Sequence, residues 1–517
     1  MRESNCRLRK LTTRIVCYGV GIVSASLDIV NIVRGWRAEG TSLEDPSQKT
    51  GYARSLPCPT TKGRRIMSTL QPTLASLAED LSLDQTTSRK LVEDCLARIS
   101  DPVGEGSRAF VSVDTQAARA AADAMDLRRK AGKAATRYAG IPISIKDLAD
   151  IEGQATKAGS VALADAPPAK ADAPVVSRLR HAGFIIIGRT NMTEFAYSGL
   201  GINPHYGTPR SPYDRAAGRV PGGSSSGAAV SVADGMAHGA LGTDTGGSCR
   251  IPAAFCGITG YKPTARRVPI EGVVPLSFTL DSIGPLARTV ACCAAMDAIM
   301  AAEPERTVTP APISTLRLLV PETTVLDQLD GHVSAAFDAS LTRLSKAGAH
   351  ITRAPFPTFD RIPGLVRKGG FSASESYAWH RKLIETKRHA YDPRVLARIL
   401  RGVEQSATDY IDLLALRRAA IADYNAAMDG YDTLVMPTTP IIPPRIADLD
   451  SDEAYTRENL LILRNTLIIN ILDGCSISVP MTPPGEAPCG LMLSAVGGAD
   501  HRLFDIAAAV ERTLALA

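Results

Sequence analysis

Two pairs of adjacent glycines, Gly222-Gly223 and Gly246-Gly247, each followed directly by serine, constrain this 517-residue chain more than any other feature. Glycine pairs allow positive φ, so several backbone N–H groups can converge on one point, a nest suited to an anion or an oxyanion. A phosphate loop needs a lysine directly after its last glycine, and neither cluster has one. A nucleophile elbow fits only the spacing around Ser225, from Gly223 to Gly227, and no His and Asp pair stands out to complete it. Either cluster alone reads as a turn, and Lys146 alone as a solvated strand-end lysine. Two such clusters with an upstream lysine, delivered by the apolar run Ile141 to Ile145, read as a catalytic site.

The stretch resembles the amidase signature family. The resemblance runs through Gly242-Thr-Asp-Thr-Gly-Gly-Ser248, Arg250-Ile-Pro-Ala-Ala-Phe-Cys-Gly257, Lys262-Pro-Thr264 and, upstream, Gly140-Ile-Pro-Ile-Ser-Ile-Lys-Asp147. It implies Ser248 as nucleophile, Ser224 as a bridging serine on a cis peptide bond, and Lys146 as base. The residue types agree, since a serine hydroxyl needs a neighbouring base and a lysine serves as one only when burial depresses its pKa. The resemblance further implies an oxyanion hole from the N–H groups of Thr245, Gly246, Gly247 and Ser248, with Ser225, Asp244 and Arg250 in support. Asp244 and Arg250 read equally as a structural ion pair. Ser226 stands where the family commonly has glycine.

What the resemblance implies is a cofactor-free amidohydrolase acting on a small-molecule amide through a serine acyl-enzyme. Two readings stay open: a free-standing amidase, or the glutaminase subunit of a tRNA-dependent amidotransferase. A homodimer is compatible with either.

Charge sets further bounds. Residues 1–66 hold 12 Lys and Arg against 5 Asp and Glu, while the remainder holds 46 against 48, so the formal charge of +5 belongs to the leader. The body therefore presents no basic surface for direct nucleic-acid contact, and no membrane association is expected of it. The ten cysteines lack metal-type C-x-x-C pairing and read as buried thiols in a reducing compartment, which predicts a cytoplasmic protein. Cys249, beside Ser248, is a rival nucleophile without a histidine partner nearby. The eight histidines form no metal motif, so no catalytic metal is expected.

Domain organisation divides at Met67. Residues 1–66 read as a poorly structured or targeting-like extension: arginines precede an apolar run from Ile15 to Val33, broken by Asp28 and Asn31. A signal, an anchor and initiation at Met67 all remain open. Residues 67–517 read as one amidase domain of α/β class, a central mixed, mostly parallel sheet covered by helices on both faces. Helical periodicity groups Leu74, Leu77, Ala78 and Leu81, then Leu91, Val92, Cys95, Leu96 and Ile99 behind a Thr87 or Ser88 cap. Between Phe371 and Tyr431 the pattern is helical, with Ile411, Leu414, Leu416, Ala420 and Tyr424 on one apolar face. The resemblance implies that substrate preference lies there and that the loop from Phe195 to Gly201 lines the acyl pocket, a loop that reads equally as an ordinary connection.

Overall fold

Short aliphatic runs between glycine, proline and polar turns make the strands. The computed structural model describes residues 71–515, and the readings of the leader lie outside the described residues. Eleven strands are β1 (Phe110–Ser112), β2 (Pro142–Lys146), β3 (Ile185–Thr190), β4 (Gly239–Asp244), β5 (Thr259–Lys262), β6 (Ser282–Ala287), β7 (Arg317–Pro321), β8 (His350–Ala354), β9 (Thr433–Pro437), β10 (Cys475–Pro480) and β11 (Gly490–Ala495). They form one sheet in the order β1-β3-β2-β4-β6-β5-β10-β11-β9-β7-β8.

The sheet is mixed, as expected, but not mostly parallel: four of its ten pairings are parallel (β3–β2, β2–β4, β9–β7, β7–β8) and six are antiparallel. The parallel pairs are the β–helix–β units that hydrophobic pattern reveals. The antiparallel middle was hidden because β5 reads only Thr-Gly-Tyr-Lys and β6 carries Gly284 and Pro285, residues that argue against a central strand.

Strand alternation sends side chains into cores on the two faces. Ile143, Ile145 and Leu241 join the cluster that receives helix Leu74–Ser82, while Ile185, Ile187 and Ala240 join the cluster packed on helices Ser88–Ser100 and Ser226–Ala233. The first helix buries the four expected residues behind a Thr73 and Ser76 capping box. The second is capped by Thr87, whose side chain accepts from Lys90 N. Among the described residues no helix is long and apolar enough to cross a membrane.

Helix Ala407–Ala427 corrects one expectation: its buried stripe is Leu413, Arg417, Ala420 and Tyr424, while Ile411 is 62% exposed. A lone arginine breaks the hydrophobic pattern, yet it belongs inside because Arg417 Nε donates to Ile471 O at 2.9 Å. We expect Leu413→Ala to cost about 2–5 kcal/mol and Ile411→Ala to stay within about 0.5 kcal/mol. Urea unfolding of the two variants checks the stripe, and the reverse order of midpoints would contradict it.

Candidate active site

The parallel strands β2 and β4 lie side by side and end at the same edge of the sheet. Beyond the carboxyl ends of parallel strands a crevice opens in which ligands commonly bind. Ser144 and Lys146 leave β2 on the face that carries helix Ser226–Ala233. Ser144 Oγ lies 2.9 Å from Ser231 Oγ, and Lys146 reaches the loop that precedes the helix. Lys146 Nζ lies 2.7 Å from Ser224 Oγ and 2.8 Å from Thr243 Oγ1. The side chain is wholly buried, and loss of hydration pushes its pKa down to about 7.

The peptide bond between Gly223 and Ser224 is cis. Gly223 is packed so closely that a Cβ would sit 2.5 Å from Gly201 N, and its own N–H donates to Gly199 O at 2.7 Å. Ser225 does not touch Lys146. Its Oγ donates to Thr243 O at 3.2 Å, so it braces β4, whose Thr243 hydroxyl meets the lysine. Ser226 Oγ donates to Asn191 O at 3.4 Å.

The second cluster is a turn organised by one buried carboxylate. Asp244 accepts from Arg250 Nη2 at 2.9 Å and Nε at 3.0 Å, from Gly247 N at 2.8 Å and from Cys249 N at 3.1 Å. Burial alone would raise the Asp244 carboxyl, but the Arg250 guanidinium overrides it and holds the carboxyl below its usual range. One oxyanion expectation needs correction: the Gly247 N–H is committed to Asp244. The N–H groups of Thr245, Gly246 and Ser248 have no protein partner among the described residues, and those three residues line a cavity of about 650 Å³. Gly247 has φ +130°, and a Cβ there would lie 2.2 Å from Thr466 Oγ1, so the turn admits only glycine.

Ser248 lines the cavity, and among the described residues its hydroxyl is hydrogen-bonded to neither Lys146 nor Ser224, which are bonded to each other. Cys249 is wholly buried, and burial pushes its thiol far above the ordinary value, which removes it as a rival nucleophile. Of the loop from Phe195 to Gly201, Ala196, Tyr197 and Ser198 reach the cavity, whereas Phe195 packs inward against His380 and Tyr391.

Four supporting residues escaped the sequence reading. Thr243 contacts the lysine. Asp281 accepts from Thr245 Oγ1 at 2.5 Å, and burial pushes its carboxyl up to about 6. Helix Asp452–Ile471 supplies Thr466, whose Oγ1 donates to Gly246 O at 2.6 Å, and Asn470, whose Nδ2 donates to Asp244 O at 3.1 Å. Asn459, Asn465 and Asn470 of this helix are all buried. No local signal reveals them. Among the described residues there is no grouping of three or more His, Cys, Asp or Glu able to hold a metal ion.

Comparison with known proteins gives a coherent result. Residues 90–504 match the family model Amidase. The chain is 37% identical over 449 residues to 2-amino-5-chloromuconic acid deaminase of Comamonas testosteroni, covering 86% of this chain and 96% of that protein. It is 34% identical over 471 residues to a glutamyl-tRNA(Gln) amidotransferase subunit of Chromohalobacter salexigens, covering 84% and 95%. A crystal structure of an amidase superposes with a TM-score of 0.77 at 30% identity, covering 85% of this chain and 99% of that one.

Removing one member of a buried ion pair strands the other, at a cost of about 3–5 kcal/mol. We therefore expect Arg250→Met to be destabilised by that amount at neutral pH. A depressed carboxyl contributes stability above its unfolded pKa, near 4, and loses it as pH falls through the folded value. In Arg250→Met the same buried carboxyl lacks its guanidinium and burial raises it, so as pH falls it takes up a proton before the wild-type carboxyl does and the gap between the two proteins should narrow, as denaturant melts at pH 7 and pH 3.5 would reveal.

Proposed function

The chain belongs to the amidase family, whose members hydrolyse amides, and from that premise we propose that it is a free-standing amidase working through a Ser248 acyl-enzyme with Lys146 and Ser224 as its proton relay. The observation that carries this reading is the wholly buried Lys146, 2.7 Å from Ser224 Oγ and depressed to about 7. An amine in that state is half neutral at pH 7 and is matched to general-base work.

In this mechanism neutral Lys146 takes the Ser224 proton as Ser224 takes that of Ser248, whose Oγ attacks the amide carbonyl carbon. The carbonyl oxygen gains the negative charge and is met by the free N–H groups of Thr245, Gly246 and Ser248. Each such donor is worth on the order of a hundredfold in rate. Asp244 serves by holding Gly247 N and Cys249 N, which fixes the turn whose residues Thr245, Gly246 and Ser248 line the cavity. Collapse breaks the C–N bond, and the relay returns its proton to the departing amine. Water then attacks the acyl-enzyme by the same route, releasing the acid and restoring Ser248.

A second reading, a glutaminase that passes ammonia to the other members of an amidotransferase complex, is favoured by the likeness to the Chromohalobacter salexigens protein. The fragment of residues 67–517, assayed alone on primary and aryl amides and on glutamine, separates the two. Hydrolysis of several amides supports the free-standing enzyme, while turnover of glutamine alone shifts the assignment to a member of a complex. Ser248→Ala should be silent, and equal activity in that variant would remove Ser248 as nucleophile. With a base near 7, kcat/KM should rise about tenfold per pH unit below that value and level off above it. A pH–rate profile flat from 5 to 9 would contradict Lys146 as the base.

A further inference from the structure

Strand β4 ends at Asp244 opposite Ser282, the first residue of β6, so the antiparallel register sets Thr245 across from Asp281 just beyond the paired strands. Ser282 Oγ closes that pairing by donating to Asp244 O at 2.9 Å. Past it, Thr245 Oγ1 donates to Asp281 Oδ1 at 2.5 Å, and Asp281 Oδ2 accepts from Leu276 N at 3.0 Å and Ser277 N at 3.1 Å. One carboxylate therefore ties the loop of residues 276–281 to Thr245, whose own N–H has no protein partner among the described residues.

A second carboxylate holds the same loop from the other side. Buried Glu375, on helix Gly370–Lys387, accepts from Ser277 Oγ at 2.5 Å, from Thr279 N at 3.0 Å, from Tyr410 Oη at 2.6 Å and from the Thr279 hydroxyl. Ser277 thus gives its N–H to Asp281 and its hydroxyl to Glu375. Tyr410 also packs edge-on against Phe371, with centroids 5.8 Å apart, and Phe371 lines the cavity together with the loop residues Leu276 and Leu280. The loop consequently runs from the turn beside Ser248 to the helical wall, clamped by a carboxylate at each side. Among the described residues neither carboxylate is bonded to Lys146, Ser224 or Ser248.

We propose that Asp281 is a positioning residue for amide hydrolysis: it fixes Thr245 so that the Thr245 N–H is in place to meet the oxyanion, and Glu375 holds the loop from which Asp281 does so. Threonine branches at Cβ and has few side-chain rotamers, so a hydroxyl pinned to a carboxylate also restrains the backbone that carries it. Bonds to an ionised acceptor are about twice as strong as neutral ones, which suits a restraint that must survive turnover. An oxyanion donor works because it is aimed before charge develops, and a misplacement of about 1 Å can cost about a hundredfold. The oxyanion exists only in the transition state, so loss of aim falls on kcat rather than on KM. This inference rests on the amidase reading for its reaction, and a boronic acid separates the two.

The test pairs kinetics with a tetrahedral mimic. On whichever of acetamide, hexanamide, benzamide and glutamine wild type hydrolyses fastest, Asp281→Asn and Thr245→Val should each lower kcat about tenfold to a hundredfold with KM nearly unchanged. Both remove the same hydrogen bond, so the double variant should fall within about threefold of the poorer single one. Thr245→Ser keeps a hydroxyl and should recover most of what Thr245→Val loses. Glu375→Gln should lower kcat by about threefold to tenfold, again with KM nearly unchanged. Hexylboronic acid gives a readout without turnover: the Ser248 oxygen bonds to boron as its proton passes to the relay, leaving an anionic tetrahedral adduct in the oxyanion hole. Calorimetry should show its binding weakened about tenfold or more by Asp281→Asn, with Ser248→Ala as the control that forms no adduct. Equal kcat in Asp281→Asn and wild type, a loss confined to KM, or losses that multiply in the double variant would overturn the proposal. Silence on every amide with boronate binding that depends on Asp281 would instead sink the amidase reading and leave the positioning role intact. Silence on every amide with boronate binding absent or indifferent to Asp281 would overturn both.

Discussion

A lysine cut off from water is the constraint on which the rest of the site depends. Lys146 is the last residue of β2, and strand alternation turns it towards the glycine-rich loop before helix Ser226–Ala233. Dehydration penalises the ammonium form, which brings the amine near neutrality and makes it able to accept a proton. Its two polar neighbours are hydroxyls, Ser224 and Thr243, and neither restores the charge as a contacting carboxylate would. The cluster of serines gains its chemical meaning from that environment, since a well-solvated lysine would stay protonated at neutral pH.

The second constraint is the geometry of the Asp244 turn. One carboxylate gathers a guanidinium, two backbone amides and an asparagine amide, and through them ties β4, helix Arg250–Cys256 and helix Asp452–Ile471 to one point. Such a pair contributes little net stability, because desolvating two ions offsets most of their attraction. Its value lies in placement: with Gly247 N and Cys249 N held inward, Thr245, Gly246 and Ser248 are the residues that line the cavity. Gly247 permits this because its φ is positive and Thr466 leaves no room for a side chain.

Much of this was legible in the chain. Leu74, Leu77, Ala78 and Leu81 are buried as their periodicity requires, and Thr87 caps the next helix. Lys146 meets Ser224 of the first glycine–serine cluster, and Ser248 of the second lines the cavity. Legibility fails where a buried group is polar or a strand is interrupted. Asn470 and Thr466 look like surface residues, and Pro285 looks like a strand breaker. Arg417 hides the buried stripe of its helix by being the one cation in it. For Asn470, Thr466 and Arg417 the deciding partner, a carbonyl or carboxylate far away in sequence, leaves no local trace.

The sequence by itself determined the chemistry: paired glycines able to form a turn, serines after them, and a lysine behind an apolar strand. Local rules suffice for these, because backbone freedom, hydroxyl reactivity and strand periodicity are properties of neighbouring residues. Tertiary structure decided the rest. It committed the Gly247 amide to Asp244 and buried Cys249 away from the cavity. Those outcomes depend on which polar groups meet across hundreds of residues, and hydrogen bonding and desolvation are settled only when the partners are in place.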